Sequence, residues 1–417
     1  MDLSFSKLFY CTVLLFSSTA YAQNSLSIEP IICKGVYDDA MTSILENSVS
    51  KNARSVNSTI EVSYVDFPVQ AKAPFQKAVS TWENYIISPQ KIKIQAKWES
   101  LPSSTLAQSG ATKIYRNFTS APYRDVWYPV ALAEAISGQN LNSNEFEVTI
   151  SLNRNINWSL NTNGIPESNH FDMVSVVLHE IAHGLGFNSS FKLTDDNQRG
   201  EWGQSLVPYI FDLFVQNGNS EVIQDTKVYG NPSSQLKQQL VGDDLFFFLG
   251  NNIYTGRLPQ LSAADPFRIG ASVSHLDEFN YPQGNDNSLM TPSIRSAEVI
   301  HSTGDLTLLI LNQIGWGIEN LPASGNTVTA TEPEVLQTLV YPNPVEDKLN
   351  IYLPQDKPVD YSVAIRDIKG RLYYQQAHHS SASNQLVINT TNWLPNTYFV
   401  EIKSENLIKT HRVVILQ

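Results

Sequence analysis

Cysteine is almost absent: the chain of 417 residues contains two. Cys11 falls in an apolar stretch at the very start. Cys33 is then left alone, and a mature chain without Cys11 has no internal disulfide. Basic residues are also few, 28 against 40 acidic ones, for a net charge of −12. That balance argues against nucleic acid as a partner, since phosphates call for a basic face. Solubility accounts for the acidic excess. Long apolar runs are missing as well. Leu8 to Phe16 is too short to span a bilayer, and no later stretch is long enough, so no transmembrane segment is expected. Histidine numbers only eight, which narrows any search for metal ligands.

What is present begins with an export signal. Lys7 supplies a positive end, Leu8–Phe16 an apolar core, and Ala20-Tyr21-Ala22 a small-residue cleavage site. The mature chain is expected to begin near Gln23. Residues 23–58 are polar and weakly patterned and read as an N-terminal extension or pro-segment. Cys33 reads as a stray thiol near a loose end, with a thiolate that blocks a metal in a latent precursor as the second option.

The central stretch is Phe171–Phe187, which contains His179-Glu180-Ile181-Ala182-His183. Met173, Val174, Val177, Leu178, Ile181, Ala182 and Leu185 recur at helical spacing, so a buried helix is expected. Residues four apart share a helix face, and His179 and His183 can offer two nitrogens to one metal. Glu180 is rotated by about 100°, beside such a metal rather than on it, where a general base belongs. Gly184 and Gly186 follow, residues suited to stopping a helix.

Around this helix the pattern reads as α+β. Thr59–Val65 and Lys91–Trp98 alternate as strands, and Ala73–Ile87 between them has helical period, so a crossover unit is expected. Pro129–Ile136 reads as a helix. Glu147–Leu152 reads as a strand and a plausible edge for an extended substrate to pair with. Asp305–Ile314 reads as an apolar helix with Asp305 as its cap, ended by Gly315. Residues 59–319 form one domain on this reading, 320–337 a linker, and 338–417 a small β-sandwich of short alternating runs.

A catalytic zinc usually takes three protein ligands. His170 sits too far back along the helix to join His179, and His378, His379 and His411 belong to the tail. His275 and His301 remain, and Glu201 is the candidate if the third ligand is a carboxylate, as in thermolysin-like enzymes. Asp277 could orient a ligand, and Tyr281 is available as an oxyanion donor, though nothing in the sequence places it.

The motif His179-Glu-Ile-Ala-His-Gly-Leu-Gly-Phe187, a long insertion, then Ser274-His275 and Met290-Thr-Pro resembles the leishmanolysin branch of the metzincin zinc peptidases. The compact metzincin pattern has a histidine where this chain has Ser189; in the leishmanolysin branch the third histidine is displaced by an insertion. The resemblance implies a zincin-like fold with one zinc on His179, His183 and His275, Glu180 as base and Met290 in a methionine turn. The spacing from His275 to Met290 is longer than in that branch, and its many cysteines are absent. The tail, opening with Tyr341-Pro-Asn-Pro344, resembles the type IX secretion sorting domain of Bacteroidetes, which implies export and engagement with that machinery. A generic binding sandwich is the alternative for the tail. The function expected is a secreted zinc endopeptidase acting on protein or peptide substrate. The rivals are a non-catalytic zinc-binding adhesin and a zinc hydrolase of a non-peptide bond.

Overall fold

The computed structural model describes residues 25–28, 30–45, 58–143, 145–250, 258–263, 265–319, 321, 339–341, 345, 347–352, 360–367, 371–379, 385–404 and 407–415. The signal, most of the linker and Pro342-Asn-Pro344 lie outside them. The architecture is α+β, rich in sheet with few helices.

Six strands form the main sheet: β1 Ile31–Val36, β2 Ile60–Val65, β3 Ile92–Glu99, β4 Thr105–Ala111, β5 Val148–Asn153 and β6 Ser293–Arg295. Their order is β6-β1-β4-β5-β3-β2. Helix α1, Lys72–Tyr85, connects β2 to β3, which pair in parallel, as the crossover rule requires. Phe75, Ala78, Val79 and Trp82 of α1 are fully or almost fully buried. Helix α2, Val130–Ser137, ends at Gly138, whose φ of +68° suits a residue without a Cβ. Helix α3, Met173–Gly184, packs on β4 and α1, and Trp82 Nε1 donates to the Leu178 carbonyl at 3.0 Å. Helix α4, Ser234–Leu240, lies in the insertion after α3. Helix α5, Asp305–Ile314, closes the unit, and Trp316 beyond it donates from Nε1 to Leu185 at 2.7 Å.

Three expectations are corrected, and one strand is added. The N-terminal extension is not loose: β1 is inserted between β6 and β4, and Cys33 on it is buried. Its polar flanks hid a strand whose backbone is paired on both sides. The strand Val148–Asn153 is internal, between β4 and β3, so its proposed role as a substrate-pairing edge fails. Five of its six residues are buried, the signature of a strand covered on both faces. The strand neighbouring it, β4, gave little sequence signal because Thr-Leu-Ala-Gln-Ser-Gly-Ala is dominated by small residues. Finally, Gly304 occupies the cap position of α5 with φ +69°, and Asp305 lies in the first turn instead, where its charge still favours the helix N-terminus.

The tail is a separate pair of sheets. One contains Leu339–Tyr341, Lys348–Tyr352 and Gln385–Asn389; the other contains Asp360–Asp367, Leu372–His379, Asn396–Ser404 and Leu407–Ile415. Val363, Ile365, Val400, Ile402, Leu349 and Ile351 form its core.

Candidate metal centre

Helix α3 starts from Asp172, whose carboxylate accepts the Ser175 amide at 2.8 Å and so caps the first turn. The helix lies close on the sheet because Gly184 has no side chain: a Cβ there would come within 2.3 Å of Val148. Gly186, at φ +113°, makes the turn that ends the run. The two glycines thus have different tasks, close packing and reversal.

The structure brings His179, His183 and His275 together. Their Nε2 atoms are 2.9 Å (179 to 183), 3.2 Å (183 to 275) and 3.3 Å (179 to 275) apart. Each Nδ1 faces a backbone carbonyl: Leu289 at 2.7 Å for His179, Phe187 at 2.6 Å for His183, and Ala271 at 2.9 Å for His275. A carbonyl can only accept, so each Nδ1 carries the proton and donates it. Each neutral ring then presents a bare lone pair at Nε2. Burial lowers the pKa of His179 to about 4 and of His275 to about 3, and drives that of His183 well down. A fourth proton to bridge the rings is therefore disfavoured. Three lone pairs meeting at these distances call for a cation among them. A tetrahedral zinc with about 2.0–2.1 Å bonds to nitrogen sets its ligands about 3.3 Å apart, and the donor set fits.

Glu180 completes the group. It is fully buried, and neither carboxylate oxygen has a hydrogen-bond partner. Burial pushes its pKa up to about 8; the Ser109 hydroxyl and Cys33 thiol nearby pull the other way without hydrogen-bond geometry to either oxygen. The Ser109 hydroxyl instead donates to the Glu180 backbone carbonyl at 2.8 Å.

The element that delivers His275 is stitched down on both sides. Val273 N donates to Ser262 O at 2.7 Å, Ser262 N to His275 O at 2.9 Å, and Leu276 N to Met290 O at 2.8 Å. Val273 has φ +65°, a costly conformation for a β-branched residue. Met290 is fully buried in the turn Ser288–Met290, which packs against α3 and supplies, through Leu289, the carbonyl that orients His179.

The other candidates lie elsewhere. His301 donates from Nε2 to Asp172 at 2.9 Å and is a core residue. Glu201 pairs with Lys192 at 3.3 Å and is not among the residues that converge. His170 sits beside Glu167 at 3.6 Å. The Ser189 hydroxyl donates to buried Asp212 at 2.8 Å. Asp277 accepts from the Asn280 amide at 2.9 Å, and the Tyr281 hydroxyl accepts from Gln260 N at 3.3 Å. Sequence reasoning missed the three orienting carbonyls. They are backbone atoms and leave no signature in residue type.

Two family models match parts of the chain. Residues 339–416 match the secretion system C-terminal sorting domain, the type IX tail. Residues 126–233 match a family described as SPBPB7E8-like, a span that includes α3 but not His275. No curated protein matches. Among solved structures, a DUF3244 family protein from Bacteroides vulgatus with an immunoglobulin-like β-sandwich is similar at 19% identity. That match covers 18% of this chain and 81% of that one, with a TM-score of 0.17. A thermostable endoglucanase from Alicyclobacillus acidocaldarius is similar at 21% identity, over 17% of this chain and 12% of that one, with a TM-score of 0.12. The sorting domain makes this an exported protein, secreted or held at the cell surface, that engages the type IX machinery. Among the described residues no helix is long and apolar enough to cross a membrane.

Proposed function

We propose that the protein is a secreted zinc endopeptidase of zincin-like fold, related to the leishmanolysin branch of the metzincins. The observation that carries this reading is the meeting of three bare Nε2 atoms, 2.9–3.3 Å apart, beside a buried carboxylate with no partner. His179, His183 and His275 would hold the metal. A zinc there would supply Lewis-acid polarisation of a peptide carbonyl and a water of lowered pKa. Glu180 takes the proton from the attacking water and hands it to the leaving amine. Burial makes the Glu180 carboxylate a stronger proton acceptor, and a cation held beside it would favour its ionised form, as a general base requires. Backbone carbonyls of Leu289, Phe187 and Ala271 hold the three rings in the required tautomer.

Glu180→Gln tests the reading. The variant should keep its zinc and lose casein hydrolysis by about 10²–10⁴-fold, the usual worth of a general base. Undiminished hydrolysis would remove Glu180 from the mechanism. A panel of esters run beside casein separates a peptidase from a hydrolase of another bond. A zinc-binding protein without catalysis is the second reading, and the burial of Glu180 and the three histidines favours it.

A further inference from the structure

His275 reaches the other two histidines only if the long segment after α3 is fixed in place. One buried side chain in that segment has bonds that its own turn does not need. Asp212 lies in the short helical turn Ile210–Phe214 and is fully buried. Its carboxylate accepts from four donors. Oδ1 takes the Ser189 hydroxyl at 2.8 Å and the Ser190 amide at 3.0 Å. Oδ2 takes the Tyr209 amide at 2.9 Å and the Ser190 hydroxyl. The Tyr209 bond caps the turn that carries Asp212. The other three reach back 22 or 23 residues, to the stretch where the chain leaves α3.

That stretch bears on two of the three histidines. Phe187, two residues before Ser189, holds the His183 ring through its carbonyl at 2.6 Å. Its own ring packs on Phe211, the neighbour of Asp212, with centroids 5.3 Å apart. On the other side the Ser189 amide donates to the Ser274 hydroxyl at 3.1 Å, and that hydroxyl donates to Asn188 Oδ1 at 3.4 Å. Ser274 is the residue before His275 and is itself buried. The turn of Asp212 is in turn tied to the scaffold. Ile210 N donates to Trp127 O at 2.9 Å, and Trp127 N donates to Pro208 O at 2.9 Å. A continuous set of bonds thus runs from Trp127 through Asp212 to Ser189 and Ser190. From there it branches to the carbonyl that orients His183 and to the residue that carries His275.

An ionised carboxylate suits this junction. It only accepts, with about four lone-pair sites on its two oxygens, and bonds to it are stronger than those between neutral groups. An amide in its place fails in either orientation. One of its ends would be an NH₂ group, facing the amide of Ser190 or that of Tyr209, and neither of those can accept. We propose that Asp212 is a positioning residue for the metal centre: it fixes the exit of α3 and, through Ser189 and Ser274, sets His275 against His179 and His183. This rests on the metal site of the peptidase reading, but not on which bond the protein cleaves. A carboxylate that served the fold alone would lower the melting point when replaced and leave the coordination of the metal as it was.

The experiment uses the full chain with Asp212→Asn, Ser274→Ala, His275→Ala and, as a control, Glu134→Gln. Glu134 is also a buried carboxylate; it accepts the amides of Leu141 at 2.7 Å and Asn142 at 3.2 Å. Zinc affinity is measured by competition with a chelator. The visible spectrum of the cobalt(II) form reports coordination, since four-coordinate cobalt absorbs far more strongly than six-coordinate. Casein hydrolysis is followed beside them. Asp212→Asn should weaken zinc binding by about 10–100-fold, the usual cost of removing support behind a ligand. Its cobalt spectrum should move toward that of His275→Ala. Ser274→Ala should shift both in the same direction, and Glu134→Gln should match the parent in both. The proposal is overturned if folded Asp212→Asn keeps the zinc affinity and the cobalt spectrum of the parent, or if Glu134→Gln weakens zinc as much. If Asp212→Asn does not fold, Ser274→Ala decides, and parental affinity and spectrum there overturn it. Shifted affinity and spectrum in a protein whose parent leaves casein intact would uphold the role of Asp212 and sink the peptidase reading. A parent that binds neither metal would overturn both.

Discussion

The unit up to residue 319 and the tail from 339 bury very different things. The first hides His179, Glu180, His183, His275, His301, Asp172 and Asp212 among its apolar side chains. In the tail the buried polar residues among those described are Asp367 and Thr390, and Asp367 is answered by Arg371 at 2.6 Å. Burying an ionisable group costs free energy unless something compensates it. In the first unit several such groups converge on one point, and two Glu180 oxygens are left without a partner. Such a convergence of buried, unpartnered ionisable groups is the pattern of a candidate functional site. The tail has the simpler pattern of a module whose core only has to fold, which suits a sorting domain.

Metal removal should separate the two most sharply. A ligand present at about a thousand times its Kd stabilises the fold that binds it by about 4 kcal/mol. Chelation should therefore lower the melting transition of the first unit and leave that of the tail in place. A single transition that moves as a whole would break the comparison.

At the site itself, acid should act in the same direction on the metal-free protein. His179 and His275 have depressed folded pKa values, about 4 and about 3, and that of His183 is lowered too. Unfolded histidine titrates near 6.5, so between that pH and about 4.5 the unfolded chain binds the extra protons. Stability is present above pH 6.5 and is lost as pH falls, by about 1.4 kcal/mol per unit for each histidine. Glu180, raised to about 8, works oppositely: its folded form holds the extra proton between about 4.5 and 8. Within the site, three histidines against one glutamate leave a net loss on acidification, while Glu134, raised to about 7, and Asp212, raised to about 6, oppose it elsewhere in the unit. The site's share is read by comparing the change in melting between pH 7 and pH 5 for the metal-free parent and its His183→Gln variant: the parent should lose more, and an equal loss in both would refute it.

The smallest effect is in the tail. Val363 is fully buried there, and Val363→Ala should cost about 2 kcal/mol of tail stability from lost burial and a residual cavity. Zinc content and hydrolysis should not change. Altered zinc binding in this variant would show that the two regions are not independent.

Much of this was legible from residue order alone. The 3.6-residue period of α1, α3 and α5 and the alternation of β2 and β3 reported their own burial. His179, Glu180 and His183 were legible because a single helix fixes their geometry. His275 was not fixed that way: it comes 92 residues after His183, and only its place ahead of Met290-Thr-Pro, the order that metzincins have, preferred it. What stayed hidden is what depends on partners distant in sequence. β1 carries no strong pattern because its stability comes from hydrogen bonding on both edges, not from an amphipathic face. The edge role assigned to Glu147–Leu152 failed because strand order is set by packing, which periodicity does not encode.

The most direct measurement is the zinc content of the purified full chain beside its His275→Ala variant. The account predicts about one zinc per parent chain, as a single catalytic site requires, and loss of that zinc in the variant with its fold retained. A variant that keeps its zinc would show that the three converging histidines are not the metal site, and the central claim would fail.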